Sequence, residues 1–537
     1  MHVRFTGPSA WTAVLLALVC GSAPADAQTV VARQRLGNNT EGITSFSRGN
    51  GRDVAVIDGY DVFNVRLPGV NSGQRGRPCD PIKGTSGRTC RRLFNVRSLS
   101  GGSLHGIAYV QSQDRFYFAG NDATRLYATD VNGGALPPLA IAHKSDPGSI
   151  SQWEGLAYIP PDSSMFPDTI AGITIGKNLI GHIQIIGLDG AVLREIVFPA
   201  GSPLFDYLGG VAFKAPDRLL VTPAAGPVIY EITFDGDIVG EAHPVADAGS
   251  AFEGLTMLED GRVVTAEYGN GHLYVLDSTF ERRRGNDRDF VVGFGISTSK
   301  LAWNPDTREF LVNTRGPFGE IRAARVFAVS SDLATFRFVV DFAGTRFAPS
   351  PVLGIGYLAG ENRLAITTTG AGIRGIAVFD TTTGAFVPPR IALEGTFPLA
   401  RDVTSLPPFC LGCLGVRVIG RDPVTRATRT EIRVITRTGS PHPTDPDAIV
   451  PVQLPPIVLS SEPTDGGLAF DNSPAGGRIL AGLAAYDLAG NLLETISKEA
   501  LGVNFVSAIV PITNGDHQGR YAVIDAASSE LVVFSLP

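Results

Sequence analysis

Glu253-Gly254-Leu255-Thr256-Met257, then Arg262-Val263-Val264-Thr265-Ala266, the turn Tyr268-Gly269-Asn270-Gly271 and His272-Leu273-Tyr274-Val275, is the stretch that decides the fold. Its apolar runs are short, rich in β-branched and aromatic residues, and bounded by Gly, Asn or Asp. That pattern reads as antiparallel strands joined by tight turns. The opening pentapeptide recurs as Glu41-Gly42-Ile43-Thr44, His105-Gly106-Ile107-Ala108-Tyr109, Glu154-Gly155-Leu156-Ala157-Tyr158 and Gly209-Gly210-Val211-Ala212-Phe213. Weaker copies stand at Ser299-Lys300-Leu301-Ala302-Trp303, Leu353-Gly354-Ile355-Gly356-Tyr357 and Gly466-Gly467-Leu468-Ala469-Phe470. Asp402-Val403-Thr404 and Val506-Ser507-Ala508 bring the unit starts to about ten. The sequel repeats as well: residues 115–119 lead through Gly120-Asn121-Asp122 into 125–128, and 363–367 lead through Gly370 into 375–379. Residues 193–198 and 336–342 are candidate fourth strands.

Four antiparallel strands per unit, repeated at this spacing, predict an all-β β-propeller of four-stranded blades with loop insertions. A sandwich would not need one pentapeptide at every unit start, and a β-helix would repeat at a shorter period. A single ring of 7–8 blades is expected, because ten would exceed the usual range. The strand at 530–535 and the isolated strand at 30–36 are expected to pair and close the ring, removing an exposed sheet edge. The predicted organisation is a signal peptide over 1–27, propeller blades over 28–395, a divergent blade or insertion carrying a CxxC over 396–465, and final blades over 466–537 that close on the N-terminal strand.

Composition agrees with a folded, turn-rich chain: 44% of its 537 residues are hydrophobic, and Gly 63 and Pro 37 punctuate them. The net charge of -7 offers no basic surplus for a phosphate backbone, so nucleic acid is not an expected partner. His2 and Arg4, the apolar run from Ala10 to Val19, and Ala25-Asp26-Ala27 read as a secretory signal cleaved near Ala27. No later run reaches membrane-spanning length, so the expectation is a secreted monomer, periplasmic or extracellular. The remaining cysteines pair by proximity as Cys79 with Cys90 and Cys410 with Cys413, and suit an oxidising compartment. The CxxC has the spacing of a redox or zinc half-site but lacks a second half, which favours a structural bridge.

If the units are in register, Glu41, His105, Glu154 and Glu253 hold one position in different blades and converge at one end of the channel. Converging carboxylates raise one another's pKa or recruit a cation, and hard oxygen donors suit Ca2+ or another divalent cation. Glu41, Glu154 and Glu253 are therefore the candidate metal ligands, and His105 the candidate catalytic base. The same residues could instead hydrogen-bond neighbouring blades. Trp153 either lines a mouth or packs between blades, and Asn121, Asp122, Glu267 and Asn270 suit turns. Phosphate-loop, HExxH and GxSxG motifs are absent from the sequence.

The Glu-Gly-aliphatic-small-aromatic strand and the run from Thr265 to Asp277 resemble propellers of the NHL-repeat, gluconolactonase-like and esterase-like phytase type over about residues 40–395. In gluconolactonase-like members a Glu opening an innermost strand, similar in position to Glu41, Glu154 or Glu253, helps hold a divalent cation in the central channel. The resemblance implies a cation-assisted hydrolase of the lactonase, esterase or phosphoesterase kind acting at the channel mouth. The alternative is a non-catalytic propeller that binds a small molecule or a protein.

Overall fold

The computed structural model describes residues 28–35, 40–46, 53–67, 90–99, 104–143, 150–176, 180–223, 226–243, 252–267, 272–282, 288–289, 297–315, 325–333, 335–341, 352–368, 375–393, 400–407, 409–410, 412–421, 428–463, 465–472 and 477–536. The expected signal segment 1–27, Cys79 with the loop after it, and Asn270 lie outside these residues. Among them no helix is long and apolar enough to cross a membrane.

Among the described residues the strands pair into eight four-stranded sheets and one nine-stranded sheet. The nine-stranded sheet is two blades joined at their outer strands, where Phe386–Ala392 runs parallel to Ala448–Gln453. All ten unit starts therefore open a blade. The segment 396–465 is one of them, elaborated by the long strand Thr428–Pro441 and the short strand Ile457–Val458.

The blades close into two rings of five, not one ring of seven or eight. The innermost strands Thr40–Ser45, Leu104–Val110, Ile150–Ile159, Leu208–Lys214 and Phe252–Met257 pack in that order, and the fifth returns to the first. Backbone contacts trace the circle: a Cβ on Gly42 would lie 3.0 Å from Gly106, one on Gly155 3.0 Å from Gly209, one on Gly209 2.3 Å from Phe252, and one on Gly254 3.0 Å from the backbone of Ile43. The second circle runs through Ser297–Asn304, Val352–Leu358, Ala400–Ser405, Leu468–Asp471 and Val506–Ile512.

Each core lies between blades. Phe46, Phe94 and Phe116 fill the interface of the first and second blades, and Ile43, Val56, Val264 and Leu273 fill that of the first and fifth. In the second ring Leu301 and Trp303 share one cluster with Ile509 and Phe534, which closes it. The N-terminal strand Thr29–Arg35 pairs antiparallel with Glu530–Ser535, as expected. It completes the last blade of the second ring before the chain enters the first. Arg97 of the first ring stacks over Tyr60 at 4.3 Å and ion-pairs with Glu530 of the second, and Asn504 bonds the Tyr60 hydroxyl.

Gly106 tests the ring geometry. A Cβ there would stand 2.0 Å from the Glu154 carbonyl oxygen, a backbone atom that cannot swing aside. Gly106→Ala is expected to destabilise the first ring by about 3 kcal/mol or more, read as a fall in melting temperature.

Candidate acid–base site

Every innermost strand of the first ring carries a break in register at its start. Pairing skips from Thr40 to Gly42, Leu104 to Ile107, Trp153 to Leu156, Leu208 to Gly210 and Phe252 to Gly254. Glu41, His105, Glu154, Gly209 and Glu253 are thus at β-bulges, where the extra residue leaves the ladder and its side chain is turned out of the alternating pattern. This is how a local repeat delivers side chains from separate blades to one end of the ring.

The structure brings the four predicted residues together. His105 Nδ1 lies 2.9 Å from Glu41 Oε2 and 3.9 Å from Glu154 Oε2, and His105 Nε2 lies 2.9 Å from Asn121 Oδ1. Both ring nitrogens face oxygen acceptors, the pattern of a protonated imidazole. Burial by itself would lower its pKa, but the charges of Glu154 and Glu41, with hydrogen bonds to Glu41 and Asn121, push it up to about 10. His105 therefore stands as a cation at neutral pH, with no lone pair to act as the base.

The carboxyls divide by environment. Glu154 is 2% exposed; burial raises its pKa, while His105 and hydrogen bonds from Tyr207 and Gln152 pull it back. Glu253 is pushed well above the ordinary carboxyl range by burial and by repulsion from Glu154 and Glu41, with His105 opposing. Both carboxyls are raised, Glu253 the further, and two carboxyls whose environments separate their proton affinities are the arrangement of an acid and a base.

Tyr207 and Gln152 were not legible as site residues. The Tyr207 hydroxyl donates to Glu154 Oε1, Gln152 Nε2 donates to the same oxygen, and the two lie 3.1 Å apart. Gln152 stands two residues before Glu154 and Tyr207 two before Gly209, so bulge-relative spacing was their only signal. Burial, then Glu154 and Glu253, raise the Tyr207 phenol, which keeps it a donor. Asn121, read from sequence as a turn residue, orients His105, whereas Asp122 caps its own turn through Thr124. Glu267 accepts from the Tyr274 hydroxyl at 3.0 Å. Trp153 is fully buried, bonds the Ala123 carbonyl at 2.9 Å and stacks on His143, so it packs between blades.

The second ring lacks this set. Its skipped residues are Ser299, Leu353, Arg401 and Ser507. A disulfide joins Cys410 to Cys413, whose side chain is buried, the bridging role favoured from sequence.

As arranged, the first-ring cluster does not make a metal cage. Among the described residues no three His, Cys, Asp or Glu side chains are grouped to hold a metal ion. The imidazolium of His105 already supplies the positive charge between Glu41 and Glu154.

No family model matches the chain, and no curated protein matches it. Among solved structures, a gluconolactonase of Xanthomonas campestris is 14% identical, covering 54% of this chain and 93% of its own, with a TM-score of 0.32. The β-propeller domain of Cps50 (Swd1) from Myceliophteria thermophila is 12% identical over 69% of this chain and 93% of its own, at 0.22. A glutaminyl cyclase of Myxococcus xanthus is 14% identical over 45% of this chain and 91% of its own, at 0.28. The propeller architecture stands on the strand pairing and ring contacts described above.

Proposed function

We propose that the first ring is a hydrolase of neutral esters or lactones, working by acid–base catalysis at the end of the channel where its bulges converge. The observation that carries this reading is the meeting of Glu154 and Glu253, two buried carboxyls of unequal proton affinity, beside the cation of His105. Ionised Glu154 takes a proton from water as its oxygen bonds to the carbonyl carbon. The carbon–oxygen bond to the leaving alkoxide then breaks, and Glu253 gives that oxygen its proton. The imidazolium favours negative charge on the carbonyl oxygen as it develops, while Tyr207 and Gln152 hold Glu154 in place. With three carboxyls against one imidazolium, an anionic phosphoester is the poorer substrate.

A cation-assisted hydrolase is the rival reading, favoured by the hard oxygen donors Glu41, Glu154 and Glu253. It needs His105 to yield its place, and no step above depends on it. A panel of lactones, esters and phosphoesters assayed with Ca2+ and with chelator separates the two. The acid–base reading expects neutral substrates to turn over equally in both; turnover that appears only with Ca2+ supports the rival. No turnover of any class in either condition leaves a binding propeller for a small molecule or a protein. Export with cleavage near Ala27 belongs to this proposal, supported by the N-terminal sequence pattern and the disulfide.

The raised pKa of Glu253 makes a signed prediction. Its proton is held more tightly in the folded than in the unfolded chain, so the stability it contributes is present below the ordinary glutamate range and is lost as pH rises through the raised value. Glu253→Gln, which cannot ionise, is expected to melt with wild type in acid and above it at alkaline pH. Wild-type kcat/KM is expected to fall as pH rises through the same raised value and the acid is lost.

A further inference from the structure

The second ring carries a cavity of about 250 Å3 centred on its five innermost strands, at the end opposite their bulges. Trp303, Tyr357 and Phe470 line it, with the small residues Ala302, Gly356 and Ala469 preceding them in the same three blades. Lys300 and Asp402 close it from behind. Their ion pair, 2.8 Å long, joins the first and third blades of a five-membered ring and so crosses the channel; Lys300 also reaches the Ser507 carbonyl, and Arg417 lies 3.6 Å from Asp402. This polar bridge spans the ring on the bulge side of the cavity, which is called the cup below.

The lining sets the ligand. It contains no Asp, Glu, Lys, Arg or His, so nothing in the cup compensates a charge brought out of water. The Tyr357 hydroxyl is spent on Asp306 at 2.5 Å, leaving its ring to the cup. Thr404 and Ser405 from one blade, and Asn472 and Thr513 from two others, add uncharged polar side chains to the lining. A mostly apolar lining with aromatic residues and a few uncharged polar groups is the make-up of a small-molecule site. We propose that the second ring binds a small neutral ring compound, mostly apolar and carrying hydroxyl or carbonyl groups, in this cup. The site is separate from the acid–base cluster of the first ring and does not rest on that function.

The test uses the whole protein and two fluorescent probes with related skeletons, neutral N-phenylnaphthylamine and anionic anilinonaphthalene sulfonate. The expected result is saturable binding of the neutral probe, one per chain, with energy transfer from tryptophan that is lost in Trp303→Phe and kept in Trp153→Phe. Ala469→Phe, which fills the cup, is expected to weaken binding by about tenfold or more. Absence of saturable binding, equal binding of the anionic probe, transfer that survives Trp303→Phe, or unchanged affinity in a folded Ala469→Phe protein overturns the proposal. Should Ala469→Phe fail to fold, the two tryptophan variants locate the probe without it.

Discussion

Glu154→Gln is expected to lower kcat/KM for the best ester or lactone substrate by about 10²–10⁴-fold, the range a positioned general base contributes. Glutamine keeps the size of the side chain and can still accept from Tyr207 and Gln152, so the melting temperature should move little. Glu253→Gln should lose activity too, but with a different pH signature: the fall with rising pH that belongs to Glu253 disappears from the residual rate. A structural role for the cluster predicts activity untouched in both variants and a lowered melting temperature for Glu154→Gln. Full activity in both variants would remove the acid–base reading and leave the four residues as groups that hold neighbouring blades.

Deleting Thr29–Arg35 is expected to damage the second ring and spare the first. The strand contributes a complete antiparallel ladder to Glu530–Ser535 and partly buries Val30 and Ala32 against the second-ring core. Losing it should cost that ring about 2–4 kcal/mol, from the apolar area exposed and the ladder bonds broken. Amide exchange should accelerate in 520–535 and stay slow in 53–66, and the bared edge should promote self-association visible by size-exclusion chromatography. The two cores occupy separate interfaces, which is why the effect should stay on one side. Equal loss of protection in both rings would mean that the contacts of Arg97, Tyr60 and Glu530 make one cooperative unit of the pair.

The ring count shows where a repeat can be seen without revealing its closure. About ten unit starts were legible, and each opens a blade; the expectation of seven or eight came from assuming one ring. A clue lay in the residue after the bulge. Gly42, Gly106, Gly155, Gly210 and Gly254 stand there in five successive units, and the sixth carries Lys300. In the first ring that residue sits where neighbouring backbones nearly touch, so a long side chain at the sixth unit marks a different axis. The position of the four site residues was equally legible, because a bulge repeated in register carries each of them to the same place. Tyr207 and Gln152 were not, since each acts on Glu154 from outside the repeated pentapeptide.

By itself the sequence determined what is local: short strands, the turns between them, a bulge at each unit start, and the chemical type of residue placed on it. These follow from steric and hydrogen-bonding preferences within a few residues. Only the tertiary structure decided which blades are neighbours, that Phe252–Met257 returns to Thr40–Ser45 instead of passing on to Ser297–Asn304, and that the N-terminal strand serves the ring it does not precede. It also decided the charge states, because the proton on His105 depends on carboxylates brought to it from units on either side in the ring. Electrostatic energy in a buried site is set by distance and desolvation, and both come into being when the ring closes.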